Sequence, residues 1–106
     1  MVRRSSIPLP KDAILVELRE DRLALETRQC LLPGTRVRFD LVMERHALPL
    51  RIPVEECLVM DRDRLGFIYQ ARLSFDGLPE PDRHLIRVFI AKGRGSPDLA
   101  RHAYDR

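Results

Sequence analysis

The chain has 106 residues, of which 44% are hydrophobic and 33% charged, and its formal net charge is +3. These values are typical of a single globular domain with a modest core. The small excess of positive charge is spread along the chain, so it permits an anionic partner without requiring one.

No apolar stretch approaches the roughly 20 residues that a membrane-spanning helix needs. Arg3 and Arg4 are not followed by the apolar run of a secretory signal. We therefore expect a cytoplasmic location and no membrane insertion.

The first segment, residues 1–12, is expected to be an extended arm, because Pro8 and Pro10 disfavour a helix there. Alternating apolar and polar residues then predict strands with one buried and one exposed face. The predicted strands are Ala13–Leu18, Arg22–Thr27, Thr35–Val42, a long strand that begins at Ala47 and resumes over Leu58–Met60, and Leu65–Phe75.

The connections between these strands carry turn signals. Glu20–Asp21 predicts a tight turn and Pro33–Gly34 predicts another, while Asp61–Arg64 is expected to be a charged hairpin connection. Pro49 and Pro53 lie on the polar face of the long strand, and neither can donate to a sheet. Their presence predicts an edge position, or a bulge near residues 55–56.

The period changes after residue 78. Leu85, Val88 and Phe89 recur at helical spacing, which predicts a helix from Pro79 to Lys92 that ends at Gly93. Residues 93–106 show no periodicity and are expected to be a flexible tail. The sequence thus predicts a mostly β fold over residues 13–92, a small antiparallel β-barrel with one C-terminal α-helix.

The sequence holds no recognisable catalytic or metal-binding motif. His46, His84 and His102 do not pair by spacing with a nucleophile, a carboxylate or a cysteine. Cys30 and Cys57 lie 27 positions apart, with no other cysteine or histidine nearby at ligand spacing. Cys57 lies in an apolar run and is expected to be buried, and both are expected to be structural thiols without a disulfide. The alternative is that they are reactive or metal-binding thiols. We expect no enzymatic activity, no metal and no cofactor.

The arginines are the more informative group. Arg3 and Arg4 on the arm could converge with Arg19 and Arg22 of the first hairpin, because an arm that precedes a strand can fold back over a barrel. Guanidinium groups suit such an anionic site, since each presents a planar fork of donors to a phosphate. The alternative is that these arginines serve only surface solubility.

The order of these elements resembles the PilZ domain family, the bacterial receptors of cyclic-di-GMP. The resemblance covers residues 13–92. It depends on the first hairpin, the Leu32–Thr35 turn, the run Leu48–Val54, and the passage from Tyr69–Phe75 into the final helix.

Members of that family that bind the dinucleotide carry two motifs, and this chain departs from both. The first is a pair of arginines four positions apart on the arm, but Arg3 is followed four residues later by Ile7. The second is Asp or Asn, then Ser two positions later, then Gly three after that. The matching positions here are Glu17, Arg19 and Arg22.

These departures predict a lost ligand site. Each missing bidentate arginine contact should cost about 1–3 kcal/mol of binding free energy. The resemblance therefore implies a cytoplasmic signalling adaptor that binds another, unidentified protein, with cyclic-di-GMP binding disfavoured. The alternative is a receptor for cyclic-di-GMP or a related nucleotide that uses Arg3, Arg4, Glu17, Arg19 and Arg22. Binding of DNA or RNA is not expected, because the few aromatic residues do not interleave with the basic ones.

Overall fold

The structure is a computed structural model that describes residues 6–93 and 95–102. Within those residues the chain forms seven strands and one helix. In chain order they are β1 (Ser6–Pro8), β2 (Ile14–Leu18), β3 (Arg22–Thr27), β4 (Arg36–Met43), β5 (His46–Asp63), β6 (Gly66–Ser74), α1 (Glu80–Lys92) and β7 (Asp98–Ala100).

The strands form one curled, partly open barrel in the order β1-β4-β5-β6-β3-β2, with β7 also paired to β4. The predicted mostly β barrel with a single C-terminal helix is thereby confirmed at the level of fold class. Strand β1, which belongs to the predicted arm rather than to residues 13–92, adds a parallel pairing with β4.

Strand β5 joins the two halves of the sheet. Its first part, up to Pro53, pairs with β4, and its second part, from Val54, pairs with β6. Among the described strands, Pro49 and Pro53 therefore have a partner strand on one side only, which is the edge position that their missing N–H groups predict. The register also shifts between Val54 and Glu56, at the predicted bulge.

Most of the predicted strands and turns are confirmed. The N–H of Arg19 donates to the carbonyl of Arg22 at 2.8 Å, which closes the turn between β2 and β3. Gly34 has φ +90°, the left-handed conformation that a Pro-Gly turn needs at its third residue.

The hairpin between β5 and β6 differs from the prediction. Strand β5 continues through Asp63, so most of the predicted charged connection is strand and the turn lies at Arg64 and Leu65. Charged side chains are compatible with a strand here because both faces of this part of β5 are exposed.

The core lies between the curled sheet and α1. Alternate residues of β4 and the first half of β5 point into it, together with residues of β3 and β6 and one helical residue. The largest fully buried side chains are those of Phe39, Phe75, Leu23, Leu25, Leu31, Leu41, Ile52, Leu73, Ile86, Val37 and Val54.

Helix α1 has the predicted boundaries. Pro79 is its N-cap residue and Pro81 lies in the first turn, where a missing N–H costs no helical hydrogen bond. Gly93 ends the helix with φ +61°, and its N–H donates to the carbonyl of Ile90 at 3.2 Å. The described part of the chain contains no helix long and apolar enough to span a membrane.

The two ends of the described chain are held to β4. Residues 1–5 of the predicted arm lie outside the described part of the chain. The arm residues from Ser6 to Pro8 form strand β1, which pairs with β4. The predicted flexible tail contains strand β7, and the guanidinium of Arg101 donates to the carbonyl of Leu9 at 2.8 Å. A three-residue strand is too short to give a periodic signal, so the sequence pattern does not reveal it.

Candidate functional site

The first hairpin brings together three of the residues that the family resemblance singles out. The Nε of Arg19 lies 3.1 Å from Glu17 Oε1, and the Nε of Arg22 lies 3.9 Å from the same oxygen. A register shift between Leu15 and Glu17 turns the carboxylate toward the two guanidiniums. The Glu17 carboxylate therefore offsets only one of the two guanidinium charges in this cluster of Glu17, Arg19 and Arg22.

This arrangement is unfavourable for an anionic ligand. A phosphate that approached Arg19 or Arg22 would be repelled by the neighbouring Glu17 carboxylate, because like charges repel strongly at such short distances. The Nε of Arg22 is buried without a hydrogen-bond partner within the described residues, so it faces protein rather than an open pocket.

The arm arginines, Arg3 and Arg4, lie outside the described residues, so their relation to the cluster stays a prediction. Ser6, the first described residue, is opposite Arg36 at the start of β4. The first hairpin lies near the other end of β4. Leu18, at the end of β2, lies beside Pro97, and the next residue, Asp98, pairs with Val42 near the end of β4. These two places are about 20 Å apart along β4.

A second candidate surface, absent from the sequence predictions, lies at the far end of the β5–β6 hairpin. We call it the hairpin patch. Its members are large apolar side chains that are at least two-fifths exposed, and Leu65 is 81% exposed: Leu58, Val59, Met60, Leu65 and Phe67.

The patch exists because β5 extends past the beginning of β4. Leu58 is opposite Gln70 and Val59 is opposite Tyr69, so the two side chains leave opposite faces of the sheet. Within the described chain, this part of β5 has β6 on one side and no paired strand on the other. Apolar side chains on both faces thus flank an open backbone edge.

Polar contacts fix the position of the patch. The guanidinium of Arg28 donates two hydrogen bonds to the carboxylate of Asp63, one of them at 2.7 Å, and these bonds lower the pKa of Asp63 to about 2. The Arg62 guanidinium lies over the Phe67 ring, 5.6 Å from its centroid. The end of the hairpin is therefore tied to the connection between β3 and β4.

Asp12 holds the beginning of the same connection, next to Arg28. Its carboxylate accepts hydrogen bonds from the Thr27 hydroxyl and from the Arg28 N–H, both at 2.7 Å. Partial burial opposes ionisation of Asp12, but these hydrogen bonds outweigh it and lower the pKa.

The sequence contained a signal for the hairpin patch. The run from Cys57 to Met60 is apolar at four successive positions, which does not fit a strand with one wet face. The sequence reading assigned Cys57 to the interior, and the structure places Cys57 half-buried with the next three residues exposed.

Comparison with known proteins identifies no relative. No family model, no curated protein and no solved structure matches the chain. The PilZ resemblance therefore remains a prediction that depends on the order of elements and the quoted residues.

The cavities of the structure are small. Those lined by described residues include four with volumes between about 130 and 280 Å³, and the largest lies between Leu18, Phe89 and Pro97. Pockets that enclose small organic ligands usually measure about 300–1,000 Å³. None of these four cavities is lined by Glu17, Arg19 or Arg22.

The histidines are dispersed over the fold. His46 and His84 are exposed, and Nδ1 of His102 lies 3.5 Å from Asp40 Oδ1. Across residues 6–93 and 95–102, no three His, Cys, Asp or Glu side chains are grouped closely enough to hold a metal ion.

The two cysteines are adjacent in space, contrary to the sequence reading that gave neither a nearby partner. The Leu31 N–H donates to the Cys57 sulfur at 3.4 Å, which places that sulfur beside the backbone that follows Cys30. Burial is the main cause that raises the pKa of Cys57. Cys30 is exposed, and both thiols are free.

Proposed function

We propose that this protein is a non-enzymatic, PilZ-like cytoplasmic adaptor of bacterial signalling that acts by binding another protein. The observation that carries the proposal is the hairpin patch, in which apolar side chains flank both faces of an unpaired strand edge. Exposed apolar groups of this kind are typical of protein interaction sites.

The geometry favours one kind of partner. An open strand edge offers backbone donors and acceptors, and an extended peptide segment can pair with them as an additional strand. Apolar side chains on that segment would contact Leu58 on one face and Val59 on the other. We therefore propose a partner protein that presents an extended apolar segment to β5.

The rigid support of the patch adds to this proposal. The ion pair between Arg28 and Asp63 holds the end of the hairpin, so little conformational entropy would be lost when a partner orders it. The Glu17 carboxylate supports the same proposal, because it offsets part of the positive charge of Arg19 and Arg22 on which the nucleotide-receptor alternative depends.

Capture experiments with matched variants test the proposal. The wild-type protein, a triple variant Leu58→Ser, Val59→Thr, Met60→Thr and a control Leu85→Ser would each be immobilised and exposed to a bacterial lysate. Leu85 is 39% exposed on α1 and lies near His46, at the opposite end of β5 from the patch, so its replacement removes a comparable apolar group elsewhere. We expect a protein that wild type and control retain and the triple variant loses.

Hydrogen exchange on the reconstituted complex then locates the contact. Binding of the purified partner should slow exchange of backbone amides between residues 58 and 63, since those groups would enter a new strand pair. Equal capture by all three proteins would contradict the proposal, and so would unchanged exchange in this segment. Concentration-dependent dimerisation through the patch would identify a second copy as the occupant instead.

A further inference from the structure

The connection between β3 and β4 places Cys30 against Cys57 at the edge of β5. Leu31 is the immediate neighbour of Cys30, and its N–H donates to the Cys57 sulfur at 3.4 Å. The backbone that carries Cys30 therefore reaches the Cys57 side chain directly. The Leu31 side chain is only 1% exposed, and its burial in the core fixes the position of the backbone beside Cys30.

This geometry is compatible with a disulfide. Two cysteines can be bridged without backbone movement when their Cα atoms are about 4.4–6.8 Å apart. A sulfur within 3.4 Å of the amide next to Cys30 is compatible with that range. Burial is the main cause of the raised pKa of Cys57, and the nearby Cys30 thiol contributes to it.

The two thiols differ in access. Cys30 is exposed, whereas Cys57 is partly covered. An exposed thiol beside a covered one suits a two-step oxidation, in which the first reacts with an oxidant and the second resolves the product.

We infer that Cys30 and Cys57 form a peroxide-reactive dithiol that closes to an intramolecular disulfide. The Cys30 thiolate attacks one peroxide oxygen, the O–O bond breaks, and a sulfenic acid and hydroxide form. The Cys57 sulfur then attacks the Cys30 sulfur and the S–O bond breaks. The thiol proton and the hydroxyl group leave together as water, so two electrons pass from the two thiols to the peroxide.

The disulfide would also change the fold's stability. It would link the connection between β3 and β4 to β5 and close a loop of 27 sequence positions, from 30 to 57, which restricts the unfolded chain. The dithiol chemistry is independent of the proposed partner binding, because it needs only the two thiols and a peroxide.

Intact-mass measurement of the reduced full-length protein tests this inference. One equivalent of hydrogen peroxide at low protein concentration should remove two hydrogen atoms, and proteolysis should release one peptide pair that joins Cys30 to Cys57. The Tm of the oxidised protein should rise and return after reduction. The linkage should form at least about tenfold faster in the folded protein than in urea, where the thiols are not held together.

Two single variants separate the roles of the thiols. Cys57→Ser should stop at a Cys30 sulfenic acid that dimedone labels, whereas Cys30→Ser should react far more slowly. Stepwise oxidation of each thiol without linkage would overturn the inference. Linkage only between molecules, or equal rates in the folded and unfolded chains, would overturn it as well.

Discussion

Arg28 and Asp63 form a bidentate ion pair that joins the end of β3 to the end of β5, 35 residues later in the chain. The Leu65 N–H donates to the same carboxylate at 2.9 Å, so Asp63 also orders the turn of its own hairpin. A single carboxylate thus orients both the turn and the neighbouring connection, and the hairpin patch lies directly beside it.

The Asp63 carboxyl should make stability depend on pH. Its pKa in the fold is about 2, against an ordinary value of 3.8. A lowered pKa means that the ionised form stabilises the fold above about pH 4 and that this contribution is lost as the pH falls toward 2. Urea unfolding from pH 7 to pH 2 should show the loss in wild type.

The matched variants for this prediction are Asp63→Asn and Asp61→Asn. Asp63→Asn should remove this contribution at every pH and make the profile less steep, while Asp12, whose pKa is also lowered, retains its own pH dependence. The Asp61 carboxylate accepts a hydrogen bond from the N–H of its neighbour Arg62, a local contact that joins no other strand. Asp61→Asn should therefore leave the dependence of stability on pH as steep as in wild type. Identical profiles for wild type and Asp63→Asn would contradict the role of the ion pair.

Cyclic-di-GMP should not bind the wild-type protein measurably. The Glu17 carboxylate lies 3.1 Å from the Nε of Arg19 and 3.9 Å from that of Arg22, and it would repel a phosphate at these guanidiniums. Calorimetry with about 100 μM ligand in low salt should therefore give no binding heat. Binding that disappears in an Arg19→Ala, Arg22→Ala variant would instead support the nucleotide-receptor alternative.

Replacing Phe39 should test the assigned core. Phe39 is fully buried, so Phe39→Ala should lower the free energy of unfolding by about 3–5 kcal/mol. Leu65 is 81% exposed, and Leu65→Ala should change it by less than about 0.5 kcal/mol. Chemical denaturation measures both, and equal losses would show that Leu65 is covered in the native state.

Gly93 should be sensitive for a purely backbone reason. A Cβ added there would meet no atom within 4 Å, but φ is +61°, which side chains disfavour. Gly93→Ala should therefore cost about 1–2 kcal/mol of stability, and Gly93→Asn should cost less. Thermal unfolding would reveal the order of the variants, and an unchanged Tm for Gly93→Ala would contradict the left-handed helix end.

The fold was largely predictable from local patterns, because alternation and turn residues are properties of neighbouring positions. Pro49 and Pro53 predicted an edge, and Gly93 predicted the helix end. Strands β1 and β7 were not predictable in this way, since each is three residues long and is defined by pairing with β4.

The candidate sites were less predictable. The sequence identified Glu17, Arg19 and Arg22 as a group, but it did not reveal that one carboxylate lies close to both guanidiniums. It also did not bring Cys30 to Cys57, because that contact depends on how the connection after β3 crosses β5. Such contacts between distant segments are set by tertiary packing rather than by periodicity.

The central place of β5 has a consequence for the order of folding. Its two partners are its neighbours in sequence, β4 and β6, so the three-stranded meander closes only short loops. Pairing of β3 with β6 and of β1 with β4 must close much longer ones. We expect the folding nucleus to form in the meander. Kinetic φ-values, the ratio of a mutation's effect on the folding barrier to its effect on stability, should then be high at Leu50 and Leu73 and low at Leu23. The reverse pattern would place the nucleus in the first hairpin.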